Sequence, residues 1–181
     1  FLHYCTSLKR ADIEIVLIPG FLNIKKFFYF ILLLNFTEIF EILYFKLFKN
    51  SINYKCKTHN FQSINKNDFH NFINQKKLDL IVSYNCNQIF NAKTLKKINT
   101  DIVNFHPGLL PKYKGLFTNF YSLRNKEKYI GIKFNVVEKK IDSEKIIKRF
   151  KSKVNNDDTI FKLYKKIFLY KKYHEFIYNK I

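Results

Sequence analysis

The chain has 181 residues and a formal charge of +19, from 33 Lys+Arg against 14 Asp+Glu. That length gives one domain with its own core, and two only if both are small. At 47% hydrophobic residues it is not a disordered polyelectrolyte, and its basic residues run from Lys9 to Lys180 rather than in one tract, so charge leaves a nucleic-acid partner open without assigning one.

Cys5, Cys56 and Cys86 form no CxxC and cannot all pair within one chain. This points to a reducing, cytoplasmic setting, with no structural zinc and no other metal expected. Met is absent, as in a fragment or a trimmed chain.

Residues 13–18, IEIVLI, form a short apolar run ended by Pro19-Gly20, which predicts a buried strand and a turn. Residues 27–34, FFYFILLL, are wholly apolar but far short of the ~20 that a bilayer span requires, so a buried helix is expected and no membrane partner. The region 27–36 would serve an interface in a homodimer as well as a core. Residues 41–45 read equally as strand or helix. Asn67 precedes a helical pattern with Phe69, Phe72 and Ile73 on one face. A strand is expected over 78–84, a short helix over 92–97 and a strand over 101–105. This rhythm means an α/β fold with a parallel sheet and crossovers.

Further on, a helix is expected over 119–124. Residues 129–137 alternate, with Ile130, Ile132, Phe134 and Val136 on one face, and 145–150 would pair with them as a second strand. Asp157 and Asp158 would cap a last helix whose stripe is Ile160, Tyr164, Ile167 and Phe168.

The stretch NFHPGLLPKYKG, residues 104–115, holds two of the three prolines and two of the four glycines. On the strand before it, Ile102, Asn104 and His106 share one face, and Val103 and Phe105 the other. Pro107 keeps His106 extended and ends regular pairing. Asn104 and His106 therefore lie side by side at the carboxyl end of a central parallel strand, where open α/β sheets bind ligands. A turn-capping Asn beside a merely hydrogen-bonded His remains the competing reading.

Those residues resemble the signature of the folate-dependent formyltransferases, which typically reads Asn-x-His-Pro-Ser-Leu-Leu-Pro followed by a basic-aromatic pair and Gly. The family includes glycinamide ribonucleotide, methionyl-tRNA and amino-sugar formyltransferases. IGIKFNVVEKKIDSEKII, residues 130–147, resembles the later block of the family, and LDLIVSYNCNQIF, residues 78–90, its preceding strand and folate-side loop. The resemblance covers 78–150. Residues 1–60 match poorly beyond the first strand, so the expected organisation is a single catalytic domain over 1–181 with an incomplete N-terminus.

The resemblance implies a Rossmann-like, open, mostly parallel sheet with flanking helices and an antiparallel strand pair after the active-site loop. It implies transfer of a formyl group from 10-formyltetrahydrofolate to a primary amine of a small acceptor. Asn104, His106 and Asp142 would be catalytic, and Gln88, Ile89, Phe90 and Ile141 would line the folate slot. Gly108 replaces the Ser of the family, which would loosen the loop; Glu144 replaces a Gly; Lys133-x-Asn135 replaces Thr-x-His.

A nucleotide-linked amino sugar is the favoured acceptor, by elimination. Pro19-Gly20-Phe21 is a poor phosphate cradle for glycinamide ribonucleotide, and the added C-terminal domain of methionyl-tRNA enzymes is not seen. Those two acceptors stay as alternatives. So do a catalytically weakened folate-binding relic and a basic RNA-binding module.

Overall fold

The computed structural model describes residues 13–19, 28, 31–32, 34–48, 56–84, 86–108, 113, 118–138, 145–168, 172 and 175–176. Two strands, β1 (Ile15–Leu17) and β2 (Thr58–Asn60), form a parallel pair with Ile15 opposite Thr58. Four more make a second sheet in the order β3 (Ile81–Tyr84), β4 (Ile102–Pro107), β5 (Tyr129–Val136), β6 (Ile146–Lys153). β3 and β4 run parallel; β5 and β6 are antiparallel to their neighbours. The strand with Asn104 and His106 thus has a parallel neighbour on one side and an antiparallel one on the other.

Five helices are described: α1 (Phe36–Phe48), α2 (Asn67–Lys76), α3 (Ala92–Lys97), α4 (Thr118–Arg124) and α5 (Ile160–Phe168). The ambiguous residues 41–45 are helical because a capping box starts α1 early. The Asn35 N–H donates to Glu38 Oε2 (3.0 Å) and the Glu38 N–H to Asn35 Oδ1 (2.9 Å). In α3, Asn91 Oδ1 accepts from the Thr94 N–H (2.8 Å).

Both faces of the larger sheet are covered. On one, Phe105, Ile130, Ile132 and Phe134 pack with Leu163 and Ile167 of α5. On the other, Ile102 joins Ile64, Phe69, Ile73 and Ile98, with Ile81 and Val137 packed alongside. Each fully buried aliphatic side chain of this kind contributes about 1.5–3 kcal/mol. Among the described residues, no helix is long and apolar enough to cross a membrane.

Three expectations need correction. The run 27–34 was to be buried, yet Phe28 is 64% and Leu32 77% exposed, while Leu34 and Glu38 turn inward. A segment apolar all round cannot bury every side against one neighbour. The buried stripe of α5 is Ile160, Leu163 and Ile167, not one through Tyr164. Its cap is Thr159, whose Oγ1 accepts from the Lys162 N–H (3.2 Å), while Asp158 Oδ2 takes the Asn155 N–H in the turn before it.

Candidate active site

Alternation along β4 sends Phe105 into the α5 core and Ile102 into the α2 core. Asn104 and His106 extend the Ile102 face toward the carboxyl end of the strand. In the ladder Asn104 lies between Ser83 and Asn135, and His106 opposite Lys133, which is opposite Arg149. Directly paired residues share a face. So one end of one face carries two polar rows, Ser83–Asn104–Asn135 and His106–Lys133–Arg149.

Asn104 is half-buried, and among the described residues its amide finds no hydrogen-bond partner. His106 Nε2 lies 3.4 Å from the Tyr113 carbonyl oxygen. A carbonyl only accepts, so that nitrogen carries a proton, in a bond long enough to be weak. Tyr113 is itself fixed: its hydroxyl donates to Glu127 Oε1 (2.7 Å) and accepts from Asn125 Nδ2 (3.1 Å). The Thr118 hydroxyl donates to the Pro107 carbonyl and ties the start of α4 to the end of β4. The site therefore offers two N–H donors, one free and one weakly engaged, on a rigid strand end.

Gly108 does not loosen this region; it lets it close. A Cβ there would lie 3.0 Å from Thr118 Cγ2, 3.0 Å from the Tyr113 carbonyl oxygen and 3.1 Å from His106 Nε2.

Of the expected folate-side residues, Gln88 spends its side chain on the scaffold, accepting from the Ile64 N–H (3.0 Å) and donating to the Gln62 carbonyl (2.9 Å). Phe90 packs into the α2 core, and Ile89 is 87% exposed with its carbonyl taken by Asn65 Nδ2 (2.9 Å). What these three present to a ligand is the Ile89 side chain and their remaining backbone groups. Ile141, Asp142 and Glu144 lie outside the described residues, and with them the expected third catalytic group.

Sequence reasoning missed a buried network that holds this loop. The Thr94 hydroxyl donates to Asn65 Oδ1 (2.7 Å), so it accepts from His70 Nε2 (3.0 Å), which must carry the proton. The Asn91 N–H also donates to Asn65 Oδ1 (3.0 Å). His70 sits within the Phe69–Phe72–Ile73 stripe, the one sequence signal that it would be buried. Lys133, only 1% exposed, was missed as well. Alternation along β5 said only that Lys133 lies opposite the Ile130–Ile132–Phe134 face, not that this second face is covered as well.

A small cavity of about 320 Å³ lies at the carboxyl ends of β1 and β2, lined by Leu17, Ile18, Pro19, Asn60, Phe61 and Gln62. Among the described residues that line it there is no cationic side chain.

Comparison with known proteins gives three kinds of likeness. A family model described as formyl transferase matches residues 46–177. The bifunctional polymyxin resistance protein ArnA of Wigglesworthia glossinidia brevipalpis is 30% identical over 127 residues, 70% of this chain and 19% of that protein. Methionyl-tRNA formyltransferase of Lactobacillus acidophilus is 37% identical over 89 residues, 49% of this chain and 28% of that one. In structure, a phosphoribosylglycinamide formyltransferase from Anaplasma phagocytophilum superposes with a TM-score of 0.59 at 23% identity, covering 70% of this chain and 66% of the other. The chain thus spans less than a third of the two curated relatives, and the structural likeness carries the fold alone.

Proposed function

We propose a function from one premise: this chain belongs to the formyl transferase family, whose model it matches over residues 46–177. It transfers a formyl group from 10-formyltetrahydrofolate to a primary amine. The observation that carries this reading is the pairing of the Asn104 amide, without a partner among the described residues, with the His106 Nε2–H on one face of a strand end.

A neutral amine attacks the formyl carbon and the carbonyl oxygen becomes an oxyanion. Asn104 Nδ2 and His106 Nε2 donate to that oxygen as charge develops. The weak bond to the Tyr113 carbonyl suits this role, because little is lost when the proton turns to a stronger acceptor. The bond from the formyl carbon to N10 of the folate then breaks, and the proton lost by the amine ends on N10. Asp142 is assigned, from its place in the later sequence block, to orient His106 and relay that proton. The donor lies against Ile89 and the backbone of residues 88–90, and Ile141 is assigned to the same slot from its sequence block alone. Gln88 and Phe90 act through the loop they hold.

For the acceptor, the comparisons lend more support to the alternatives than to the amino sugar favoured from sequence. Enzymes named for methionyl-tRNA recur among the curated relatives, and two named for GDP-perosamine stand beside them. The described lining of the cavity after β1 offers a phosphate no cation, whereas β6 exposes Arg149, Lys151 and Lys153 on the face that bears Asn104 and His106. An aminoacylated tRNA therefore stands first, and an amino sugar behind it.

The test is to incubate the purified chain with 10-formyltetrahydrofolate and, in turn, methionyl-tRNA, glycinamide ribonucleotide and a nucleotide-linked amino sugar. One formylated product is expected, together with one-to-one calorimetric binding of a non-hydrolysable donor analogue. A folded sample that binds no analogue and formylates none of the three refutes the reading.

A further inference from the structure

Asn135 is 5% exposed, and its Oδ1 is enclosed with no hydrogen-bond partner among the described residues. Its amide nitrogen donates to the Val136 carbonyl at 3.3 Å, which fixes which end of the side chain is the oxygen. A buried acceptor left unpaired is uncommon enough in folded proteins to require an occupant. Two further observations say where that occupant belongs. Asn135 is the direct ladder partner of Asn104, and so shares its face one row from His106. The pairing of β5 with β6 shifts register between Phe134 and Asn135. Such irregularities bend a strand and re-aim a side chain, and they gather beside active sites.

We propose that Asn135 is a further residue of the site: its side-chain carbonyl accepts an N–H of the attacking amine and turns the nitrogen lone pair toward the formyl carbon. This inference rests on the formyl-transfer reading. The amine keeps its lone pair for the new N–C bond and gives one N–H to Oδ1. As that bond forms, the nitrogen gains positive charge, so the N–H···O bond strengthens toward the transition state and lowers the barrier rather than only tightening binding. The oxyanion faces Asn104 and His106 and the nitrogen faces Asn135, so the polar row divides the two developing charges between a donor and an acceptor. Enclosure raises the value of the bond, because no bulk water competes for the oxygen.

The experiment uses hydroxylamine as the amine, a nucleophile small enough for any acceptor pocket, whose formohydroxamate product is read by its ferric complex. The Asn135→Leu variant keeps volume and loses the acceptor. It should react about 10–100-fold more slowly per molar hydroxylamine, the loss expected of one charge-assisted hydrogen bond, while the donor analogue binds within about twofold of wild type. Asn135→Asp, which retains an oxygen acceptor, should recover most of the rate. Should the leucine variant not fold, Asn135→Ala removes the same carbonyl without bulk and carries the same expectation. An Asn135→Leu or Asn135→Ala protein with the wild-type rate and a lower unfolding midpoint means that Oδ1 only holds a structural water, and overturns the inference while the formyl-transfer reading stands. A wild-type protein that neither binds the analogue nor yields formohydroxamate removes both.

Discussion

Replacing Gly108 by alanine tests whether His106 is held by packing. No left-handed backbone angle marks Gly108, so the methyl group brings no backbone strain and acts through contact alone. It would meet Thr118 Cγ2 at 3.0 Å, the Tyr113 carbonyl oxygen at 3.0 Å and His106 Nε2 at 3.1 Å, each a few tenths of an ångström too close. The three neighbours do not yield equally. Tyr113 is tethered through its hydroxyl to Glu127 and Asn125, and Thr118 is bound to the Pro107 carbonyl. The imidazole meets the added methyl through Nε2, whose 3.4 Å bond to the Tyr113 carbonyl is the weakest contact of the three, so that bond is the one disturbed. Overpacking of this kind costs about 1–3 kcal/mol, which for a chain of this size lowers the unfolding midpoint by roughly 2–12 °C. A 1 Å misplacement of a reacting group costs about 10²-fold in rate. A shift of a few tenths should therefore lower kcat by about tenfold or less, with donor affinity little changed. Thermal unfolding and single-turnover formyl transfer measure both quantities. An alanine variant with unchanged midpoint and unchanged kcat would falsify the claim that Gly108 fixes the distance between His106 and Tyr113.

Asn104→Ala removes one oxyanion donor, and should lower kcat by about 10²–10³ while the calorimetric Kd of a donor analogue stays near wild type; equal rates would remove Asn104 from the chemistry. Thr94→Val strands the His70 N–H in a position that is 0% exposed at Thr94. It should cost about 1–3 kcal/mol in denaturant unfolding and leave donor binding near wild type, because Asn65 still donates to the Ile89 carbonyl and accepts from the Asn91 N–H. Glu14 is held below its ordinary 4.5, chiefly by the Lys76 ammonium that donates to it and also by His59. A lowered carboxyl value stabilises the fold above the ordinary range and loses that stabilisation as pH falls through the lowered value. Glu14→Gln should therefore lower the unfolding midpoint at pH 7, and the gap from wild type should close in acid. A gap that persists there contradicts the ion-pair account.

How much of this could be read from the chain depends on what made each element. β4 was legible because alternation is local: Val103 and Phe105 against Ile102, Asn104 and His106 requires no knowledge of neighbours. β2 was not, because Thr58, His59 and Asn60 have no strand-forming pattern and are a strand only through pairing with Ile15, Val16 and Leu17. α1 carried its signal in the Asn35–Glu38 box, which the apolar run before it obscured. The burial of Lys133 and Asn135 was beyond reach, since each depends on what covers a second face. Asp142 remains an expectation from its sequence block.

The face that bears Asn104 and His106 changes character along its length, and the change is what makes a site there affordable. At the amino end of β4, Ile102 is 3% exposed and joins Ile81 and Val137 under α2. Two residues on, the same face turns polar across three strands at once, through Ser83, Asn104 and Asn135. Polar side chains in a single central strand would face apolar neighbours and lose the cost of desolvation. A complete polar row instead gives each group others nearby to share water or ligand with. Stability is anchored by the first row and chemistry is set by the second and third, so changes in the two should separate. Ile102→Ala should cost about 2–5 kcal/mol in unfolding and leave the kcat of the folded fraction near wild type. Asn104→Ala should do the reverse. An Ile102→Ala protein that loses kcat as steeply as stability would mean that the rows are mechanically one unit, and that the strand end is positioned by the α2 core rather than by its own ladder and the Tyr113 loop.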